Sequence, residues 1–338
     1  MRAFMSRALR KLAVTLNAAW NQVWTRITVR VFFVNLLPFV SRVIQLMVRR
    51  YITKRYEVTY AAGFPFKIAL DLRKTVDSFI YLGIFENDSL ELFSRCLAEG
   101  MTVFDIGANI GLYTLMASHK VGNAGMVYAF EPSAWAMGRL EKNVSDFGRG
   151  NVKLIKAAVG DREGPMCFNI TEDDAYNSLG GAPMKKIIAK ETIDVVSLDS
   201  FIVKEAVKGV DVIKCDAEGA DYLVFKGASL LLEKWSPLLF FEFNPQITEG
   251  FPFPPDKVLY FLDAHGYELF EVVRNKLVQI ADFRPRGFEI IGIKREARCK
   301  FGLIRPGLPA ASPGFKRPRK SAVIRTKVVN RPFDDHRL

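Results

Sequence analysis

Between residues 101 and 294, short apolar runs with the look of strands alternate with longer runs of helical period. MTVFDIG is followed by GLYTLMASHKVG, GMVYAFEP by SAWAMGRLEKNVSDFG, VDVIKCD by ADYLVFKGASLLLEKW, and PLLFFEF by PPDKVLYFLDAHG. This alternation predicts a mostly parallel sheet covered by helices on both faces. VKLIKAAVG and DVVSLDSF are expected as further strands around an irregular segment, 161–193. YELFEVV, KLVQI and FEIIGIK then follow without helices between them, the first two joined as a hairpin through Arg274 and Asn275. They predict an antiparallel edge. The expected fold is α/β, a doubly wound and mostly parallel sheet that binds ligands at the carboxyl ends of its strands, near a switch point.

Charge divides the chain of 338 residues into three parts. Residues 1–56 contain eleven Lys and Arg and no acid, and residues 298–338 contain another eleven against Asp334 and Asp335. The middle, 57–297, holds 26 basic and 34 acidic residues, a net of −8. The expected organisation is a basic N-terminal extension (1–56), a globular domain (57–297) and a basic, disordered tail (298–338). Within the extension, Val29 to Val48 has the length of a membrane span, but Asn35, Pro38, Ser41, Arg42 and Gln45 interrupt it. An amphipathic segment lying on an anionic membrane surface and a helical extension packed on the domain are the two readings weighed. The acid-free start also has the composition of a transit peptide, and neither end supplies a module that reads nucleic acid.

Cys96, Cys167, Cys215 and Cys299 form no CxxC pair, and the three histidines (His119, His265 and His336) lie at no metal-ligand spacing from them. A disulfide framework and a zinc site are not expected, and no metal is assigned; a reducing, cytoplasmic compartment, with attachment to the inner face of a membrane, fits the composition.

Chemistry concentrates where strands end. In FDIGANIG, Gly107 and Gly111 permit a tight turn and close backbone approach to a ligand, while Asp105 can accept a hydrogen bond or pair with a cation. Asn109 adds an amide. The spacing is G-x-x-x-G, so the dinucleotide fingerprint G-x-G-x-x-G is absent, which disfavours a nicotinamide dehydrogenase. In YAFEP, Glu131 stands twenty residues after Gly111, where an acid can accept both hydroxyls of a ribose. An acid beside a glycine loop, with a ribose acid on the next strand, suggests S-adenosylmethionine. VIKCDAEGAD then places Asp216, Glu218 and Asp221 within six positions after an apolar strand. A lone buried carboxylate is costly, so these acids are expected to be paired, to cap the next helix, or to face a ligand.

FDIGANIGLYTLMAS, VYAFEP, NVKLIKAAVGDREG, VVSLDSF, VIKCDAEGADYLVFKGA and PLLFFEF occur in the order found in FkbM-type methyltransferases, and residues 77–294 resemble that family. The family pattern K-[IV]-D-[VI]-E-G-A-E is kept at Lys214, Asp216, Glu218 and Gly219 and varied at Cys215, Ala217 and Asp221. The resemblance implies a Rossmann-like class I methyltransferase fold and S-adenosylmethionine-dependent O-methylation, mostly of hydroxyls and often on sugars or glycolipids. It implies that Asp105, Gly107, Asn109 and Gly111 hold the methionine end of the cofactor, Glu131 the ribose, and Ala157, Ala158 and Asp161 the adenine. Asp216 or Glu218 would act as base, with Lys214 and Glu242 toward the substrate and Glu86 closing over the cofactor. A membrane-attached module that binds S-adenosylmethionine without catalysis is the competing class, and a non-sugar acceptor the variant within the first.

The extension yields a test of its own. Basic residues near an anionic surface contribute about 1 kcal/mol each. The full chain is expected to bind anionic liposomes, less so as salt rises from about 0.05 to about 0.5 M, whereas a chain starting near Glu57 stays unbound. Salt-insensitive association, resistant to extraction without detergent, would instead point to a span at Val29 to Val48.

Overall fold

The computed structural model describes residues 57–301 apart from 61–63, 84, 173–175, 182–184, 274–275, 281, 286–287 and 298–300. The basic extension with its Val29–Val48 segment, the tail and the Arg274–Asn275 turn lie outside the described residues. No helix among those described is long and apolar enough to cross a membrane.

The main sheet has eight strands in the order β12-β11-β13-β10-β9-β3-β4-β5. Its parallel part comprises β3 (Thr102–Ile106), β4 (Met126–Phe130), β5 (Val152–Ile155), β9 (Val212–Cys215) and β10 (Leu238–Glu242). From β3 the chain steps outward through β4 to β5, then returns to lay β9 on the other side of β3, with Asp105 opposite Lys214. That reversal is a switch point of a doubly wound sheet. β9 (VIKC) is buried at every position, and β10 (LLFFE) at its first four, which is why these runs are apolar without alternation. Each fully buried Leu, Ile or Phe of this kind contributes about 1.5–3 kcal/mol.

β11 (Tyr267–Val273), β12 (Lys276–Gln279) and β13 (Glu289–Lys294) form the antiparallel part. The last of them in the chain does not sit at the edge: β13 inserts between β10 and β11, antiparallel to both. The connecting helices are α1 (Thr75–Leu82), α2 (Asn87–Cys96), α3 (Leu112–Val121), α4 (Ala134–Phe147), α5 (Leu198–Lys204), α6 (Asp221–Lys226), α7 (Ser229–Trp235), α8 (Pro245–Thr248) and α9 (Lys257–Ala264). His265 caps α9 before Gly266.

Three expectations need correction. Segment 161–193 is largely ordered: β7 (Gly164–Thr171) and β8 (Ile187–Val196) pair as an antiparallel ribbon, joined by β6 (Ala158–Val159) into a separate three-stranded sheet. DVVSLDSF is not one strand, because Ser197 accepts a hydrogen bond from the Ser200 N–H and starts α5. ADYLVFKGASLLLEKW is two helices broken at Gly227, where a Cβ would collide with the carbonyl of Gly160.

Before the main sheet, β1 (Glu57–Tyr60) and β2 (Ile68–Asp71) form a small hairpin fastened to α4. The buried Asp77 Oδ2 accepts from Arg139 Nη2 at 2.5 Å and from the Asp71 N–H at 2.5 Å. Asn143 Oδ1 accepts from the Ala69 N–H, and its amide donates to the carbonyl of Ile110. Breaking a buried pair from one side leaves an uncompensated charge and costs about 3 kcal/mol or more. Asp77→Ala is expected to lower unfolding free energy by about that amount in urea denaturation. Adding Arg139→Met should recover much of the loss; strict additivity would show that the pair carries no coupling.

Candidate active site

Two adjoining cavities open at the carboxyl ends of β3, β4, β9 and β10. The first is lined by Gly107, Asn109, Phe130, Glu131, Ala157 and Ala158, among others. The second has Glu86, Asp105, Tyr113, Lys214, Glu242 and Asn244 in its wall. Gly107, Asn109, Asp216 and Glu218 belong to both.

The glycine loop crosses the strand ends so closely that a Cβ on Gly107, at φ +75°, would collide with the Asp216 carbonyl. Gly111, at φ +96°, faces Leu140 of α4 with no room for a side chain. Asn109 is also left-handed, at φ 48°, which an asparagine tolerates better than most residues. Its N–H donates to Glu131 Oε2 at 2.9 Å, and the Ser133 N–H donates to Oε1 at 2.9 Å. Glu131 therefore holds the loop in place, and each oxygen, with one hydrogen bond accepted, keeps a second lone pair beside the first cavity, which Glu131 lines. Burial pushes its carboxyl up to about 7, against these two hydrogen bonds. Asp105 accepts from Thr114 Oγ1 at 2.5 Å, and burial raises it to about 6.

β9 carries Lys214, only 1 % exposed, in the middle of the sheet. Its Nζ lies 3.9 Å from Asp216 Oδ2 and 4.9 Å above the Tyr113 ring, and makes no hydrogen bond. Burial works against its charge, yet Glu289, Asp216, Glu86 and Glu242 around it hold its pKa well above the ordinary value. The acids respond in kind. Burial, then repulsion from Asp216, raises Glu242 to about 9 and drives Glu218 upward. Glu289 is raised to about 8, chiefly by burial.

Asp216 does not cap the following helix: the N-cap of α6 is Ala220, with no side-chain hydrogen bond. Nor is Glu218 a first-turn acid. It sits in the connecting loop at φ 49°, while Asp221 occupies the first turn. Lys214, Asp105, Asp216, Glu218, Glu242 and Glu86 come together; Asp161 does not join either cavity, because Lys226 Nζ holds its carboxylate at 2.5 Å. Glu86, left-handed at φ 41°, accepts from the Tyr113 hydroxyl at 2.7 Å.

Several residues in or beside the cavities were not singled out by the sequence. Glu289 reaches the cluster because β13 pairs with β10 in the register Glu242 to Glu289. Tyr176 and Asn177 arrive from the turn of the β7–β8 ribbon, where Ser178 Oγ donates to the Glu218 carbonyl at 2.9 Å. Tyr113 follows the glycine motif by two residues and was open to suspicion on proximity alone.

Residues 105–269 match the methyltransferase FkbM domain family. Hexuronic acid methyltransferase AglP of Haloferax volcanii is 28 % identical over 148 residues, covering 44 % of this chain and 58 % of that protein. A probable cobalt-precorrin-6B C(15)-methyltransferase (decarboxylating) of Sulfolobus acidocaldarius is 28 % identical over 151 residues, 41 % of this chain and 74 % of that protein. The crystal structure of methyltransferase FkbM from Methylobacillus flagellatus superposes with a TM-score of 0.38 at 14 % identity, covering 65 % of this chain and 54 % of that one. The glycine loop, the acid that ends β4 and the switch-point strands β3, β4 and β9 all fall within residues 105–269, the part of the chain that matches the methyltransferase FkbM domain.

Proposed function

We propose that the chain is an O-methyltransferase that moves a methyl group from S-adenosylmethionine to a hydroxyl of a carbohydrate or glycolipid. The observation that carries this reading is the pair of cavities meeting at Gly107, Asn109, Asp216 and Glu218, one with Glu131 and the other acidic. The first fits a nucleoside: apolar walls from Phe130, Ala157 and Ala158 accept a base, and the free lone pairs of Glu131 suit two ribose hydroxyls. The second fits positive charge and hydroxyl groups. Asp216 Oδ1 and Glu218 Oε2 are buried there without hydrogen-bond partners. The similarity to a hexuronic acid methyltransferase supports a sugar acceptor.

When bound, S-adenosylmethionine supplies an electrophilic methyl group on a sulfonium. Asp105 and the backbone of Gly107 and Asn109 would receive its amino-acid end, and Glu131 its ribose. The walls contributed by α1, by Phe85 and Glu86 ahead of α2, and by the 176–179 segment would align the acceptor hydroxyl, where most of the rate gain in a displacement arises. Asp216 or Glu218 would take the hydroxyl proton as the oxygen bonds to carbon. Lys214, kept cationic, would donate to an acceptor oxygen.

Two measurements test the assignment. Glu131→Ala removes a charged acceptor for ribose hydroxyls, worth about 1.5–3 kcal/mol. Affinity for S-adenosylmethionine should fall by roughly tenfold or more in calorimetry. Ribose hydroxyls bind the ionised carboxylate, and Glu131 in the free protein holds its proton up to about pH 7. Affinity should therefore rise from pH 6 to 8, and Glu131→Gln should lose that part of the pH dependence which Asp105 and Asp221 do not supply. Unchanged affinity in a folded Glu131→Ala variant would remove the ribose role.

Glu218→Gln preserves shape and is expected to lower turnover roughly 100-fold, a typical general-base contribution, with little change in cofactor affinity. The assay is labelled-methyl transfer to fractionated glycans and lipids. Near-normal turnover in this variant would assign the proton to another group.

A further inference from the structure

The carboxylates at the junction of the two cavities form a cluster with its own geometry. Asp216 and Glu218 follow β9, and Glu242 ends β10; the two strands are parallel neighbours with Cys215 opposite Phe241, so their ends bring these three acids together. One oxygen from each lies within 4.8 Å of the others. Hard divalent cations bind oxygen at about 2.0–2.6 Å, so two ligands on one ion stand no more than about 4–5 Å apart. Three carboxylates brought to that separation repel one another when ionised, so they either hold protons, as the raised Glu242 and Glu218 do, or give them up to a shared cation.

Lys214 does not fill that role. Its Nζ lies 3.9 Å from Asp216 Oδ2, beyond hydrogen-bond length, and reaches Asp216 from the side. One ammonium also faces Asp105, Glu86 and Glu289 besides the cluster. The ammonium is itself an independent sign of a missing ligand. It is 1 % exposed, opens on the same cavity and has no hydrogen-bond acceptor. A buried ammonium needs oxygen atoms within hydrogen-bond reach, and this one has carboxylates around it but none that close. Oxygen ligands carried by a cation, either water or a hydroxyl of the acceptor, would supply them. Asp216 Oδ1 and Glu218 Oε2, buried and unpartnered, complete the unsatisfied set on the other side.

We propose that Asp216, Glu218 and Glu242 bind a hard divalent cation, Mg²⁺ or Mn²⁺, whose remaining coordination positions open toward Lys214 and the acidic cavity. An all-oxygen donor set selects such ions over zinc or copper. Three protein ligands leave room for water and for acceptor oxygens, so the ion would orient a polyhydroxylated acceptor without a further protein contact. The Asn244 amide, 3.5 Å from Glu242 Oε1, steadies one ligand. The cation site stands on the cluster and on Lys214, independently of which methyl donor the neighbouring cavity takes.

The test uses the full chain, treated with chelator, dialysed and titrated with Mn²⁺ at pH 7.5 while free Mn²⁺ is followed by electron paramagnetic resonance. The expected result is one saturable Mn²⁺ per chain, displaced by Mg²⁺. Affinity should drop at least tenfold in Glu242→Gln and in Asp216→Asn, and stay unchanged in Glu233→Gln, which alters an exposed acid of α7. Circular dichroism melts establish that each variant is folded. Absence of saturable binding, or binding indifferent to both ligand substitutions, overturns the proposal. S-adenosylmethionine binding, measured on the same metal-free sample, separates the two readings. Cofactor binding without Mn²⁺ binding would mean that the carboxylates serve the organic cation alone. Mn²⁺ binding without cofactor binding would leave the cation site standing and remove the methyl-donor reading. In Glu218→Gln, lost turnover with intact Mn²⁺ binding would mark that acid as a base only and overturn its place among the ligands.

Discussion

A lysine ammonium in the middle of the central sheet sets the terms for everything near it. Lys214 occupies a strand position where its neighbours Ile213 and Cys215 are wholly buried. Removing an ammonium from water costs several kcal/mol even after relaxation, and only opposite charge nearby restores it. That charge comes from separate parts of the chain: Glu86 ahead of α2, Asp216 after β9, Glu242 on β10 and Glu289 on β13. None of these acids is favourable where it stands without the lysine, and burial pushes several of them toward protonation. The polar centre is therefore assembled by the sheet as a whole, and no local segment could form it alone.

The same centre explains why two residues accept uncomfortable backbone geometry. Asn109 and Glu218 both have positive φ and stand in the wall shared by the two cavities. For Glu218, unlike Asn109, side-chain chemistry gives no local relief, and such a conformation costs on the order of 1–3 kcal/mol. The surrounding structure fixes it: the Ser178 hydroxyl holds its carbonyl, and Gly219 beside it packs against Ile247 and Phe251. This strain turns the Glu218 side chain inward at the point where β9 ends.

Much of this was open to reading in the sequence, and the reasons are physical. Strands buried on both faces must be continuous apolar runs, so TVFDI, MVYAF, VIKC and LLFFE announced themselves, and the acids ending them were conspicuous by contrast. The glycine loop was legible because only glycine satisfies its turn and its approach to Asp216. The β7–β8 ribbon was hidden, because it is largely exposed and lacks the apolar alternation of a half-buried strand; β8 begins with six exposed residues. Asp161 misled because its position after a strand resembles a ligand-facing one, while its partner Lys226 is 65 residues away in sequence. Glu289 could not be anticipated at all: its place depends on strand register between β10 and β13.

The insertion of β13 between β10 and β11 also has a bearing on how the molecule comes into being. Both neighbours of that slot are made before its occupant, and until residues 289–294 have left the ribosome β10 and β11 each present an unpaired edge. Among the described residues it is β13 that fills the gap, and the contacts that do so span up to about fifty positions of sequence. The nascent chain thus cannot complete its sheet domain by domain as it emerges. Closure waits for almost the whole described chain, and the exposed edges in the interval are ready targets for a holding chaperone.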